Sequence, residues 1–134
     1  MRQIPPMVLL AALALGAPAA AQRNSSRGEA QLAREVAGRI AGQPVNCLTL
    51  SRIQASRIID RTAIVYEVGR TLYVNRPRSG ANWLDRDDIL VTRTVGSQLC
   101  RLDTVRLVSR GTRTPSGFVV LDRFVPYTRP RGNR

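Results

Sequence analysis

From residue 47 onward the chain consists of short runs rich in branched apolar residues, separated by turn-forming residues. Such runs are typical of strands, and little helical periodicity lies between them. Parallel strands need long crossover connections, so a βαβ arrangement is disfavoured. We predict an α+β, mainly β fold, in which an N-terminal amphipathic helix precedes an antiparallel sheet or small partly open barrel of five to six strands. The candidate strands are 47–53, 56–59, 63–68, 71–76, 89–95, 104–109 and 118–124.

The clearest local element is a hairpin whose loop is Gly69 and Arg70. Glycine at the first position of a two-residue loop suits a type II′ turn, because the twist of that turn matches the twist of paired strands. The sequence therefore predicts that 63–68 pairs with 71–76. Alternation in the first strand places three residues on one face, and these are Ile64, Tyr66 and Val68.

An amphipathic helix is predicted ahead of the strands. Ser26 followed by Glu29 forms a capping-box signature, and apolar residues then recur every four positions. Gly42 and Pro44 are typical of a helix end. The recurring apolar residues are Leu32, Val36 and Ile40.

Residues 1–21 carry the pattern of an export signal. Arg2 supplies a positive charge, residues 7–17 are apolar, and small residues end at Ala21 before Gln22. The apolar run is shorter than the roughly 20 residues that a membrane-spanning helix needs. We expect cleavage after Ala21 and no transmembrane anchor in the mature protein, which would be periplasmic or secreted.

The remaining chain has the length of one ordinary domain. We divide it into a polar segment and helix over 22–43, a single β-rich domain over 44–126, and a basic tail over 127–134. The tail contains arginine, proline and glycine and little to bury, so we expect it to be flexible.

Cys47 and Cys100 are the only cysteines. An even number of cysteines in an exported chain favours a disulfide, because that compartment is oxidising. The alternatives are a redox pair or half of a metal site. Both are weakened because the chain has no Cys-x-x-Cys spacing and no histidine.

The chain carries 21 basic and 9 acidic residues, a formal charge of +12, and every basic residue is arginine. Such an excess favours anionic partners through long-range attraction. For an exported protein these are lipopolysaccharide, lipid head groups, acidic glycans or acidic proteins, and nucleic acid is a poor candidate. The alternative is a scatter of solvated arginines that keep the domain soluble.

Several short motifs follow one another along most of the chain. They are 47–53 (Cys-Leu-Thr-Leu-Ser-Arg-Ile), 59–60 (Ile-Asp), 64–66 (Ile-Val-Tyr), 73–76 (Tyr-Val-Asn-Arg), 99–103 (Leu-Cys-Arg-Leu-Asp) and 124–126 (Phe-Val-Pro). In this order they resemble a proteobacterial family of small exported domains of unknown function. The resemblance implies pairing of Cys47 with Cys100 and brings no activity with it. Many relatives carry two further cysteines, near positions that are Ala81 and Val119 here.

The sequence offers few candidates for catalysis. Without histidine there is no ordinary general base for a Ser or Cys nucleophile and no imidazole metal ligand. Asp60 and Asp103 form a glycosidase-type pair if they face each other across strands. The alternative, which we favour, is that Asp60 belongs to a turn and that Asp103 binds backbone amides.

Asp85, Asp87 and Asp88 form the only acidic cluster. A calcium site needs six to eight oxygen ligands, and this segment lacks the glycine and distal glutamate of an EF-hand. We expect these carboxylates to cap the loop and to pair with neighbouring arginines. The neighbouring arginines are Arg76, Arg78 and Arg86. No metal or cofactor is predicted.

The best candidate for a contact face combines aromatic residues with arginines. Tyr66 and Tyr73 lie on the two hairpin strands, close to Arg70 and Arg76. Trp83, the only tryptophan, lies in a loop, where it either anchors a partner or covers the end of a sheet.

Two classes of function follow from these observations. The first is a non-enzymatic periplasmic or envelope binding or accessory domain that contacts an anionic partner. The second is a small secreted enzyme or inhibitor with a carboxylate-based site.

Overall fold

A computed structural model describes Gln3, Gly16 and residues 19–132. Most of the predicted signal, 1–21, lies outside the described residues, as do the last two residues of the predicted tail. Between 19 and 132 there is one helix, α1 Ala19–Glu35, followed by ten short strands. The strands are β1 Ile40–Ala41, β2 Cys47–Thr49, β3 Ala55–Ile59, β4 Ala63–Val68, β5 Thr71–Asn75, β6 Asp88–Thr92, β7 Gln98–Cys100, β8 Thr104–Ser109, β9 Pro115–Val120 and β10 Phe124–Thr128.

The strands form three sheets in which every neighbouring pair is antiparallel. A five-stranded sheet has the order β1-β10-β5-β4-β3, a three-stranded sheet the order β6-β8-β9, and β2 pairs with β7. The prediction of a mainly β fold with antiparallel sheets is therefore confirmed. None of the sheets in the described part closes into a barrel.

Strand β4 explains why these elements form three layers. Its side chains alternate between two faces, and both faces are buried. Ile64 and Tyr66 enter a core shared with the two smaller sheets, whereas Ala63 and Val65 enter a second core beneath α1. The five-stranded sheet is therefore the middle layer, with α1 on one side and the smaller sheets on the other.

Helix α1 packs on this middle sheet through Leu32, which is buried in the second core. Gly28 allows the close approach. A Cβ at this position would collide with the hydroxyl of Thr62 and the carbonyl oxygen of Asp60 in the turn after β3. The absence of a side chain at Gly28 thus sets how closely the helix lies against the sheet.

The predicted bounds of the helix are wrong at both ends. Ser26 lies inside α1, where its hydroxyl donates to the carbonyl of Arg23 at 2.9 Å, so it does not cap the first turn. The helix ends at Glu35, and Gly38 adopts the left-handed conformation with φ 74°. Ile40 then belongs to β1, because pairing with β10 outweighs the local helical periodicity.

The hairpin is confirmed. Strands β4 and β5 pair with Val68 opposite Thr71, which leaves Gly69 and Arg70 as the two-residue loop. Gly69 has φ 60°, and the φ of Arg70 is not positive, as a type II′ turn requires. The predicted face of β4 is also correct, since Val68 packs against the same core as the other two residues of that face.

Three predicted strands and the tail differ from the structure. The run 89–95 forms strand only as far as Thr92. The run 47–53 forms strand only as far as Thr49, and Leu50–Arg52 is a 3₁₀ turn. The run 118–124 divides into the end of β9 and the start of β10. The tail predicted from 127 also begins too early, because Tyr127 and Thr128 pair with β5 and β1.

The break between β9 and β10 is held by a buried amide. Asn75 is fully buried, and its side-chain nitrogen donates to the carbonyl of Asp122 at 2.8 Å. The backbone nitrogen of Asp122 donates to the side-chain oxygen of Asn75 at 3.1 Å. One side chain therefore satisfies both backbone groups of the corner residue.

We predict that Asn75→Ala lowers the free energy of unfolding by about 1–3 kcal/mol, because it leaves two backbone groups of a part-buried corner without partners. Chemical denaturation monitored by circular dichroism measures the change. Asn82→Ala is the matched control, since Asn82 is exposed in a 3₁₀ turn. Equal stability of the two variants would contradict the assigned role of Asn75.

Candidate functional site

The two tyrosines of the predicted contact face pack against the core. Tyr66 is buried, its ring meets Phe124 edge-on with centroids 5.7 Å apart, and its hydroxyl has no hydrogen-bond partner among the described residues. Burial raises the pKa of Tyr66 well above its ordinary value. Tyr73 lies opposite Tyr66 in the register and is half-buried against the same core. Tyr66 cannot contact a partner without disruption of the core.

The other predicted contact residues are dispersed. Arg76 donates two hydrogen bonds to Glu29 of α1, and this contact holds the pKa of Glu29 below its ordinary value. Trp83 is 55% exposed and lies on Gly117, whose Cβ would come within 2.9 Å of the indole. Arg70 is exposed at the hairpin loop. The five residues do not form one surface.

The carboxylates proposed as a catalytic pair are engaged with separate parts of the backbone. Asp60 accepts a hydrogen bond from the backbone nitrogen of Arg86 at 2.6 Å. Asp103 accepts one from the backbone nitrogen of Cys100 at 2.7 Å. They line different surface hollows, so the structure does not bring them together. The favoured interpretation, in which Asp103 binds a backbone amide, is confirmed.

The acidic cluster also holds local structure. Asp85 accepts a hydrogen bond from the backbone of Asp87 at 2.9 Å, and Asp88 accepts one from the hydroxyl of Ser116 at 2.6 Å. The capping role is confirmed for Asp85 alone, and no ion pair joins these three aspartates to an arginine in the described structure. Among residues 19–132, no group of three or more His, Cys, Asp or Glu is placed to hold a metal ion.

The carboxylates of the chain are almost all engaged in such contacts. Eight of the nine accept a hydrogen bond from a side chain or a backbone amide. Within the described part, ion pairs involve four arginines, which are Arg57, Arg76, Arg86 and Arg101. Most of the positive charge is therefore not neutralised by a direct partner.

Four arginines line one cleft of about 870 Å³ beside the β4–β5 hairpin loop, and we call this the arginine cleft. Its arginines are Arg39, Arg70, Arg129 and Arg131. The guanidinium of Arg39 donates to the carbonyls of Arg70 at 2.7 Å and Tyr127 at 3.3 Å. No sequence pattern indicates this cleft, because local patterns predict helix at β1 and a tail at the end of β10.

The structure confirms the disulfide between Cys47 and Cys100, which lie opposite each other in the β2–β7 pair. The residues that follow Cys100 form a tight turn, in which the backbone nitrogen of Asp103 donates to the carbonyl of Cys100 at 3.1 Å. Leu102 has φ 73° in this turn. The disulfide and the Asp103 carboxylate therefore fix the backbone around Leu102.

Searches of protein-family models, curated proteins and solved structures found no match to this chain. The resemblance noted in the sequence thus stays a prediction. Val119 is buried in the core between the sheets, and Ala81 is partly buried against the same core. Among the described residues, no helix is long and apolar enough to cross a membrane.

We predict that a Cys47→Ser/Cys100→Ser double variant loses roughly 4 kcal/mol of unfolding free energy, since the bond closes a loop with a sequence separation of 53 residues. Denaturant titration of the variant and of the reduced native protein should show the same decrease in unfolding free energy. An unchanged midpoint in both samples would show that the bond does not contribute to stability.

Proposed function

We propose that this chain is an exported, non-enzymatic binding domain that contacts an anionic component of the cell envelope. Candidate partners are lipopolysaccharide, lipid head groups, an acidic glycan or an acidic protein. The observation that carries the proposal is the arginine cleft, in which four arginines line one depression.

The cleft has the chemistry of an anion site. Guanidinium groups bind phosphate and carboxylate with paired hydrogen bonds, and they keep their charge at any physiological pH. Arg39 is already held by two carbonyl groups, which reduces the entropy lost when a ligand binds. Glu67, the one carboxylate in the lining, is bonded to Arg57, so it offsets little of the positive charge.

The alternative of a carboxylate-based enzyme has less support. Asp60 and Asp103 each bind a backbone amide, and each lies in a different hollow. A general acid or base must reach the substrate with its own oxygen atoms. The bonds of these aspartates point instead to a role in maintaining the fold.

Export is supported by two independent features. Residues 1–21 carry the composition of a signal, and the Cys47–Cys100 disulfide is typical of proteins that function in an oxidising compartment. Anionic glycans and lipid head groups are abundant in such a location, which agrees with the charge of +12.

We expect an Arg70→Gln/Arg129→Gln variant to elute at lower salt than the native protein from immobilised lipopolysaccharide and from heparin, used as an acidic glycan. The reason is that two of the four charges of the cleft are removed. An Arg110→Gln/Arg113→Gln variant is the matched control, because it removes the same charge from the β8–β9 loop.

The control variant should elute closer to the native protein than the cleft variant does. If both variants lose the same retention, binding depends on total charge alone, and the cleft is not the site.

A further inference from the structure

Three large apolar side chains are exposed on segments next to β8 in the chain or on strands and connections of its sheet. Leu102 is 52% exposed and lies in the turn before β8, and Phe118 is 56% exposed on β9. Val95 is fully exposed in the connection after β6. Exposed apolar residues that cluster are more informative than single ones, because a cluster marks a site of interaction.

Leu102 and Phe118 belong to one continuous surface. Leu102, Thr104 and Arg106 line one shallow hollow together with Arg93. Thr104 and Arg106 also line the adjoining hollow, which Phe118 completes, and Arg106 lies directly opposite Phe118 in the β8–β9 register. These residues lie on the outer face of the three-stranded sheet, since the alternate residues of β8 enter the core.

The conformation of Leu102 is unfavourable for its residue type. A φ of 73° suits glycine or asparagine, whereas a leucine side chain is crowded there. The backbone nitrogen of Leu102 donates to the carbonyl of Leu121 at 3.0 Å, and the Asp103 carboxylate closes the turn. The fold thus tolerates strain to hold a leucine that it does not bury, which indicates a functional role.

The charges around these apolar residues are positive. Arg93 and Arg106 form no ion pair in the described structure. Asp103 is the only carboxylate in the hollow that contains Leu102, and it is bonded to the backbone of Cys100. An amphiphilic partner that combines apolar groups with negative charge therefore fits this surface.

We propose that Val95, Leu102 and Phe118, with Arg93 and Arg106, dock the protein on the anionic surface of a lipid bilayer. We call these five residues the Leu102 surface. This inference rests on the proposed function, because both require an anionic partner. It goes further by naming a lipid bilayer as that partner and by using residues outside the arginine cleft.

A bilayer fits this surface better than a second copy of the chain. The apolar residues are exposed on three separate segments, and Leu102 and Phe118 line shallow hollows. A bilayer interface accommodates such side chains without a complementary shape. Arginines beside them are attracted to lipid phosphates and to the negative surface potential. A second copy would bring together two strongly positive molecules, since the full chain has a formal charge of +12 and cleavage removes only Arg2 from its arginines.

Vesicle co-sedimentation tests the proposal with the exported protein. We expect binding to vesicles rich in phosphatidylglycerol and little binding to phosphatidylcholine vesicles. Leu102→Asn combined with Phe118→Thr should weaken the partition coefficient at least tenfold, because two inserted apolar groups are lost. Arg93→Gln with Arg106→Gln should weaken it by more than tenfold at low salt, since each charge near the surface contributes about fivefold.

Matched controls separate docking from stability and from total charge. Ile40→Thr removes an apolar side chain that is 60% exposed on the middle sheet, and the Arg110→Gln/Arg113→Gln variant removes two charges from the far end of β8. Both should bind anionic vesicles nearly as well as the native protein. Leu102→Asn alone should keep or raise the melting temperature, since asparagine tolerates a positive φ.

Several results would overturn the docking proposal. Native affinity of the Leu102→Asn/Phe118→Thr variant, equal binding to both vesicle types, or self-association through this surface in sedimentation experiments would each do so. If only the Arg70→Gln/Arg129→Gln variant loses vesicle binding, the anionic partner stands and the Leu102 surface is rejected. If the native protein binds neither vesicles nor heparin nor lipopolysaccharide, the proposed function itself is rejected.

Discussion

The covalent link between Cys47 and Cys100 is the constraint on which the proposed Leu102 surface depends. It joins two three-residue strands that would otherwise have only a few hydrogen bonds to hold them. The tight turn that follows is closed by the carboxylate of Asp103 and tied to the chain near β10 through Leu121. Because the backbone is fixed at both sides, Leu102 is held in a conformation and an exposure that a mobile loop would not maintain.

The second organising feature is the way in which the charges are distributed. Eight of the nine carboxylates accept hydrogen bonds within the molecule, so arginines in excess remain at the surface. Two of the resulting surfaces differ in chemistry. The arginine cleft is a depression lined mostly by charged and polar residues, whereas the Leu102 surface places arginines beside exposed apolar side chains. The first suits a compact anionic group and the second suits an interface between water and apolar chains.

The sequence correctly predicts those structural features that depend on residues close together in the chain. The β4–β5 hairpin follows from Gly69 and the alternation around it, and the backbone contact of Asp103 follows from the preference of aspartate for local backbone amides. Pairing between distant segments is not visible in local patterns, which is why Ile40 was assigned to a helix and Tyr127 to a tail. Alternation predicts the correct face of β4 for Tyr66. That face is buried because the two smaller sheets pack on it, and alternation alone does not show this packing. Both candidate surfaces arise from such distant contacts.

The central claim is that the Leu102 surface meets an anionic bilayer. The most direct test is nuclear magnetic resonance of the exported protein with anionic nanodiscs that carry a paramagnetic lipid. The account predicts the strongest line broadening at residues 93–95, 101–106 and 117–118, with little broadening in α1. Broadening centred on α1 or on the arginine cleft, or none at all, would contradict it.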